Sequence, residues 1–326
     1  MPDVMELVGV VPAPDWGALE PLALGMLTAG AAALILAALT LLWGRGERLA
    51  RPCSLAALIA GLCGQSALFV SLEQPLRAYE FFLHPSTTSW TAAGAYIVPV
   101  FLLTAFGLVW RTRRPRPANR PLAALALLPG IAVFTYATNE IMACVGRALW
   151  TSPMLPPLFA IAGLAGGIGL TACLAGGRDA DPGVTRALAG YAALGAGACA
   201  ALAVFLPAPA GFAGAVSLWW HAPDLLCLLA LVAAVLGWKS AGRGLYLAGV
   251  AGLAADFLLF WKLIQLGQAF PRDAATVADK AAFLDLLSGP SLLALAGTAG
   301  LLLALGLLVP ALLPEKTLPA PHGVRS

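Results

Sequence analysis

The sequence predicts an all-α polytopic membrane protein: a bundle of about nine transmembrane helices, N-terminus outside and C-terminus cytoplasmic. Three observations predict it. Of 326 residues, 60% are hydrophobic and only 11% charged, where a soluble domain carries about 25% charged residues. Nine apolar stretches reach the roughly 20 residues that a helix needs to cross the hydrocarbon core. The basic residues recur in the loops after every second stretch, which places those loops on one side.

The elements follow in chain order. Residues 1–18 read as an outer N-terminal segment. They are acidic and proline-bearing, with neither the basic nor the apolar region of a signal peptide, so the first span is expected to serve as its own insertion signal. The bundle is expected over 19–312, with spans at about 19–43, 52–72, 89–110, 121–143, 153–175, 184–206, 220–239, 243–266 and 289–312, and a cytoplasmic tail over 313–326. Pro52, Pro121, Pro153 and the Gly289-Pro290 pair punctuate boundaries, where the missing N–H of proline is tolerated. Arg45, Arg48 and Arg51 follow span one, and Arg111, Arg113, Arg114, Arg116 and Arg120 follow span three. Arg178 and Arg186 follow span five, Lys239 and Arg243 span seven, Lys316 and Arg325 span nine. Only Arg77, Arg147, Lys262, Arg272 and Lys280 fall on the other side, and this bias sets the orientation. In span five, Gly163 and Gly167 stand four apart, a spacing that lets a neighbouring helix approach closely.

Composition also excludes function classes. The net charge of +3 is no nucleic-acid footprint, because the basic residues sit in short inter-span loops. The six cysteines form no CxxC pair and mostly lie in apolar segments, so they read as small buried residues rather than metal ligands or disulfides. His84, His221 and His322 all lie in loops or at span ends, so no axial pair for a membrane haem is expected. No cysteine cluster suits an iron–sulfur centre, and neither a P-loop nor HExxH occurs.

The unusual polar residues collect on the outer side. FTYATNEIMACVGRALW (134–150) ends span four with Tyr136, Asn139 and Glu140 at i, i+3, i+4, one helical face, and Arg147 two turns beyond. A carboxylate within a span costs about 2.5–3.5 kcal/mol on insertion scales, which makes it a functional hypothesis. Glu20 opens span one. The loop SLEQPLRAYEFFLHPSTTSW carries Glu73, Arg77, Glu80 and His84 at a spacing that suits one face of a short helix; Arg77 and His84 read equally as solvated loop residues. His221 and Asp224 open span seven. Asp256 falls in the outward half of span eight, followed by Trp261, Lys262, Gln265 and Gln268. Lys262 is expected to snorkel to the surface. Trp16, Trp90, Trp150, Trp219, Trp220 and Trp261 are expected to form an interfacial belt.

Segments 71–101 and 134–159 resemble the NrfD/PsrC family, the membrane quinone-binding subunits of molybdopterin and iron–sulfur respiratory complexes. The residues that carry this are Leu72, Pro75 and Arg77 after span two, and Glu140, Arg147 and Trp150 at the end of span four. With the Trp261, Gln268, Pro271 exit of span eight and the nine spans, the chain is most similar to the tetrathionate reductase membrane subunit. Phe260 stands where the family often has arginine, with Lys262 two residues later.

The resemblance implies a quinol-oxidising membrane anchor in the bacterial inner membrane, with menaquinol bound non-covalently between spans one and four near the outer face. Tyr136 and Asn139 would bond the quinone oxygens, Glu140 or Glu20 would take a proton, and Arg77 or Arg147 would hold a carboxylate in place. His84 and Asp256 complete the implied cofactor-binding set, although Glu140 reads equally as a structural partner of Arg147. The implied partners are a ferredoxin-like iron–sulfur subunit and a molybdopterin catalytic subunit on the outer side, which would reduce tetrathionate or another sulfur compound. The competing expectation is a proton-coupled membrane transporter using Glu140 and Asp256. That function calls for broken helices and polar groups at the midplane, whereas the ionisable groups here lean to one face.

Overall fold

The computed structural model describes residues 16–44, 47–113, 120–147, 149–175, 182–206, 215–239, 244–269 and 288–315. The expectations on Arg45, Arg114, Arg116, Arg178, Arg243, Pro271, Arg272, Lys280, Lys316, His322 and Arg325, on most of 1–18 and 313–326, and on the side chains of Trp219 and Trp220 lie outside the described residues. Among the described residues the chain is helical and has no strand. The elements are α1 Leu19–Trp43, α2 Glu47–Ser71, a 3-10 turn Pro75–Arg77, α3 Glu80–Leu83, α4 Trp90–Thr112 and α5 Arg120–Met142. They continue with α6 Leu155–Ala175, α7 Pro182–Phe205, α8 Ala215–Lys239, α9 Gly244–Ala269 and α10 Gly289–Leu312. Nine of these, all but α3 and the 3-10 turn, are long and apolar enough to cross a bilayer, as the hydropathy pattern predicts. A 25-residue helix such as α1 rises about 37 Å, which exceeds the roughly 30 Å hydrocarbon core.

Contacts define two ends of the bundle. At one end Thr91 at the start of α4 meets Glu140 at the end of α5, and Lys262 near the end of α9 meets Ala203 near the end of α7. At the other, Arg51 at the start of α2 donates to the Leu313 carbonyl beyond α10, and Arg113 Nε donates to the Pro314 carbonyl at 3.2 Å. These are called the Glu140 end and the Arg51 end below.

α1 is the centre. It is apolar around its whole circumference, and such a helix belongs inside a bundle; every residue from 21 to 34 is buried. Its neighbours come close because they present glycine. A Cβ on Gly64 of α2 would stand 2.8 Å from the Ala23 carbonyl oxygen, and one on Gly163 of α6 would stand 2.9 Å from that of Thr28. One on Gly167 would stand 2.5 Å from the Ala29 carbonyl oxygen, so the predicted Gly163/Gly167 spacing is a backbone contact with α1. Leu103, Leu194 and Leu307 point outward, as suits a lipid-facing surface.

α10 is peripheral. Only Ser291, Thr298 and Val309 are buried in it, and Arg51 and Arg113 hold the carbonyls at its C-terminal exit, where backbone acceptors lack helical donors.

Substituting Gly167 with Ala is expected to force α1 and α6 apart and cost about 1–3 kcal/mol. Gly297→Ala in α10 adds a methyl group that meets nothing and is expected to be neutral or to gain up to about 1 kcal/mol of helix propensity. Unfolding of the two purified variants in detergent compares them.

Candidate functional site

At the Glu140 end a cleft of about 100 Å³ opens between α2, α4, α5 and the loop after α2. Its lining includes Gln65 and Phe69 of α2, Phe81 of α3, Thr91 and Pro99 of α4, and Tyr136 of α5. The Tyr136 ring is only 1% exposed and lies over Gly94, where any side chain would overlap it. Its hydroxyl makes no hydrogen bond to the described residues. Thr91 Oγ1 donates to Glu140 Oε1 at 2.6 Å. Glu140 Oε2 is buried, and no described residue bonds it. A buried carboxyl oxygen without a partner costs free energy unless something else supplies one, and this one is held in place by a wall residue of the cleft.

Other predicted residues go elsewhere. Asn139 turns away: its amide donates to the Thr135 carbonyl of its own helix at 2.8 Å. Glu20 sits half-buried in the first turn of α1 and does not line the cleft. The loop does not form one helical face. Proline at position 75 opens a 3-10 turn, and α3 is a separate single turn. Within it Arg77 makes an exposed fork with Glu80, Nε to Oε1 at 2.8 Å and Nη2 to Oε2 at 2.9 Å. That hydrogen bonding, and then the Glu80 charge, hold the guanidinium pKa above its ordinary value. Arg77 therefore serves its own loop, and His84 is exposed at the end of α3.

Arg147 does not pair with Glu140. Its Nη1 donates to the carbonyls of Gly267 at 2.6 Å and Gln268 at 2.8 Å, capping the last turn of α9, where acceptors are orphaned. Trp150 closes the same knot. Its indole stacks on Trp16 with ring centroids 5.1 Å apart, donates to the Leu263 carbonyl at 3.0 Å, and occupies the space a Gly267 side chain would need. Gln265 and Gln268 both donate to the Trp16 carbonyl, at 2.7 and 2.8 Å. Trp150 and Trp261 are therefore core residues rather than belt residues, being 2% and 1% exposed.

Lys262 does not snorkel. It is fully buried and turns inward, where its ammonium bonds Asp224 Oδ1 and donates to the Ala203 carbonyl at 2.5 Å. The other Asp224 oxygen lies 2.8 Å from His221 Nδ1. This chain ties α7, α8 and α9 together on the far side of α1 from the cleft. Asp256 stands near the middle of α9 and is wholly buried against Gly25 and Gly166, with neither oxygen bonded among the described residues. It does not line the cleft.

The family model described as polysulphide reductase, NrfD, matches residues 13–271, about four-fifths of the chain. The chain belongs to the NrfD family. A comparison with curated proteins finds no match. NrfD-family proteins are membrane subunits of polysulphide reductase-like complexes that bind quinone at the membrane and typically pair with iron–sulfur and molybdopterin subunits. The match runs from residue 13, before α1, to residue 271, just past α9, so α10 lies beyond it. In this NrfD-family chain no group of three or more His, Cys, Asp or Glu among the described residues is placed to hold a metal ion.

Sequence reasoning missed Gln65 and Thr91. Gln65 is a lone uncharged amide in an apolar span, and its intramembrane position was the available signal. Thr91 carries no sequence signal, since only folding brings it to Glu140.

Lys262→Met is expected to leave Asp224 as an uncompensated buried charge and to destabilise the protein by about 3–5 kcal/mol. Adding Asp224→Leu is expected to recover most of that loss. Denaturation of the single and double variants in detergent measures the coupling.

Proposed function

We propose that this chain is the quinol-oxidising membrane subunit of a respiratory molybdopterin/iron–sulfur oxidoreductase, with the quinol ring seated in the Tyr136–Thr91 cleft. The observation that carries the reading is Glu140 Oε2, buried and bonded by no described residue, on a carboxyl held by Thr91 at the wall of the cleft that Tyr136 also lines. The placement differs from the one implied by the resemblance, since the cleft opens between spans two, three and four rather than between one and four. Quinol supplies two electrons and two protons. Tyr136 can bond a ring oxygen. Thr91 commits Oε1 of Glu140 and leaves Oε2 to hold a proton. Aromatic Phe69 and Phe81 give the cleft apolar walls for a ring.

The Glu140 end is proposed as the outer face, on the strength of the basic loops at the Arg51 end, and the membrane as the bacterial inner one. Leu76 and Val145, 86% and 81% exposed, lie outside the spans at the Glu140 end and suit contact with an iron–sulfur partner. A molybdopterin subunit beyond it would reduce the terminal acceptor. Menaquinol as donor and tetrathionate or another sulfur compound as acceptor rest on the sequence resemblance. The transporter reading has one observation on its side, Asp256 at the midpoint of α9. Against it, α9 runs unbroken from Gly244 to Ala269, where a transporter site calls for a discontinuous helix.

In membranes carrying the assembled complex, Glu140→Gln is expected to lower the turnover of tetrathionate-dependent menadiol oxidation about a hundredfold or more, the scale of a lost general base. Tyr136→Phe is expected mainly to raise KM. Full turnover by Glu140→Gln in an intact complex excludes Glu140 as the proton acceptor.

A further inference from the structure

The polar side chains that line the cleft are few, and they come from different helices. On the α4 and α5 side they are Thr91, bonded to Glu140, and Tyr136. The α4 wall adds a backbone acceptor. Pro99 has no N–H, so the Ala95 carbonyl one turn before it lacks its helical donor, and both residues line the cleft. On the α2 side the lining is apolar except for one residue, Gln65, with Leu68, Phe69 and Leu72 beside it. Gln65 is half-buried, six residues before the end of α2, and Tyr136 is six before the end of α5, so the two stand at similar depth. The Gln65 carboxamide makes no hydrogen bond to the described residues. Ser66, its neighbour, shows the ordinary alternative: its hydroxyl donates to the Leu62 carbonyl of its own helix at 2.8 Å.

A 1,4-quinol carries its two oxygens on opposite edges of the ring. A site that grips only one edge leaves the other oxygen without a partner in an apolar wall, which is costly. We propose that Gln65 is the second polar anchor of this cleft, bonding the ring oxygen opposite the one held from the Tyr136 and Thr91 side. A carboxamide suits this place because it both donates and accepts. Its NH₂ can donate to a quinone carbonyl, and its oxygen can accept from a quinol hydroxyl, so Gln65 serves both redox states without changing charge. The Ala95 carbonyl can only accept, so it adds to quinol binding alone. The inference rests on the quinol reading above and names a specificity-determining residue within it.

Menadione binding to the purified full-length chain in detergent tests this without any electron transfer, with quenching of intrinsic tryptophan fluorescence as the readout and micelles without protein as the partition blank. Gln65→Leu is expected to weaken the menadione Kd roughly three- to tenfold, the size of one lost neutral hydrogen bond, with elution and melting unchanged. Gln65→Glu keeps an acceptor and loses the donor, so it is expected to weaken menadione more than menadiol. A merely structural role for Gln65 would not produce that split between redox states. If Tyr136→Phe weakens binding and Gln65→Leu stays within twofold of the unsubstituted chain, the anchor is wrong and the quinol reading stands. If the unsubstituted chain shows no saturable menadione binding above the micelle blank, the quinol reading itself falls.

Discussion

The backbone of α1 is the surface on which the bundle is assembled. In a bilayer, lipid tails are as apolar as leucine, so helices associate through close van der Waals contact rather than through escape from water. Gly64 on one side, and Gly163 and Gly167 on the other, bring α2 and α6 to within contact of α1 carbonyls. A helix held so tightly on both flanks cannot expose a polar face, and α1 accordingly has none over residues 21–34. It also divides the molecule. α2, α4 and α5 lie on the cleft side, while α6, α7, α8 and α9 form the other.

The polar groups of the Glu140 end sort by whether folding satisfies them. Arg147, Gln265, Gln268 and Trp16 satisfy one another and the last carbonyls of α9. Lys262, Asp224 and His221 form a second mutually bonded set, which the Ala203 carbonyl joins. Such groups describe how the helices are clamped. Glu140 Oε2, the Tyr136 hydroxyl and the Gln65 amide are different, because the described residues leave them unbonded: Tyr136 and Gln65 line one cleft, and Glu140 is tied to its wall through Thr91. Asp256 is equally unbonded, but glycines at 25 and 166 close around it and it does not reach that cleft. An unsatisfied polar group beside an open cleft points to a ligand, whereas the same group in a closed packing interface does not.

Much of this was legible in the residues. The nine spans fall within a few residues of their expected bounds, because length and apolarity are local properties that the bilayer reads directly. Gly163 and Gly167 announced a close helix contact by spacing alone, though not that α1 was the partner. Tyr136 and Glu140 were singled out by their place on one face of a span. The errors share a cause. Arg147, Lys262 and Arg77 were judged by charge and by nearness in the sequence to Glu140 or to the membrane surface. Their true partners lie at Gly267, Asp224 and Glu80, two of them more than thirty residues away.

The sequence by itself determined that this chain spans a membrane, how many times, and which helix ends carry the unusual polar groups, since each follows from local composition and from the basic loops. Only the tertiary structure decided which of those groups are already spoken for. That depends on the rotation of each helix about its axis, which is set by packing against its neighbours, for α2 and α6 by backbone contact with α1. In a span apolar nearly all round, hydropathy carries little information about rotation. Gln65 and Thr91 stayed hidden for this reason, and Arg147 and Asn139 drew attention to a cleft they do not line.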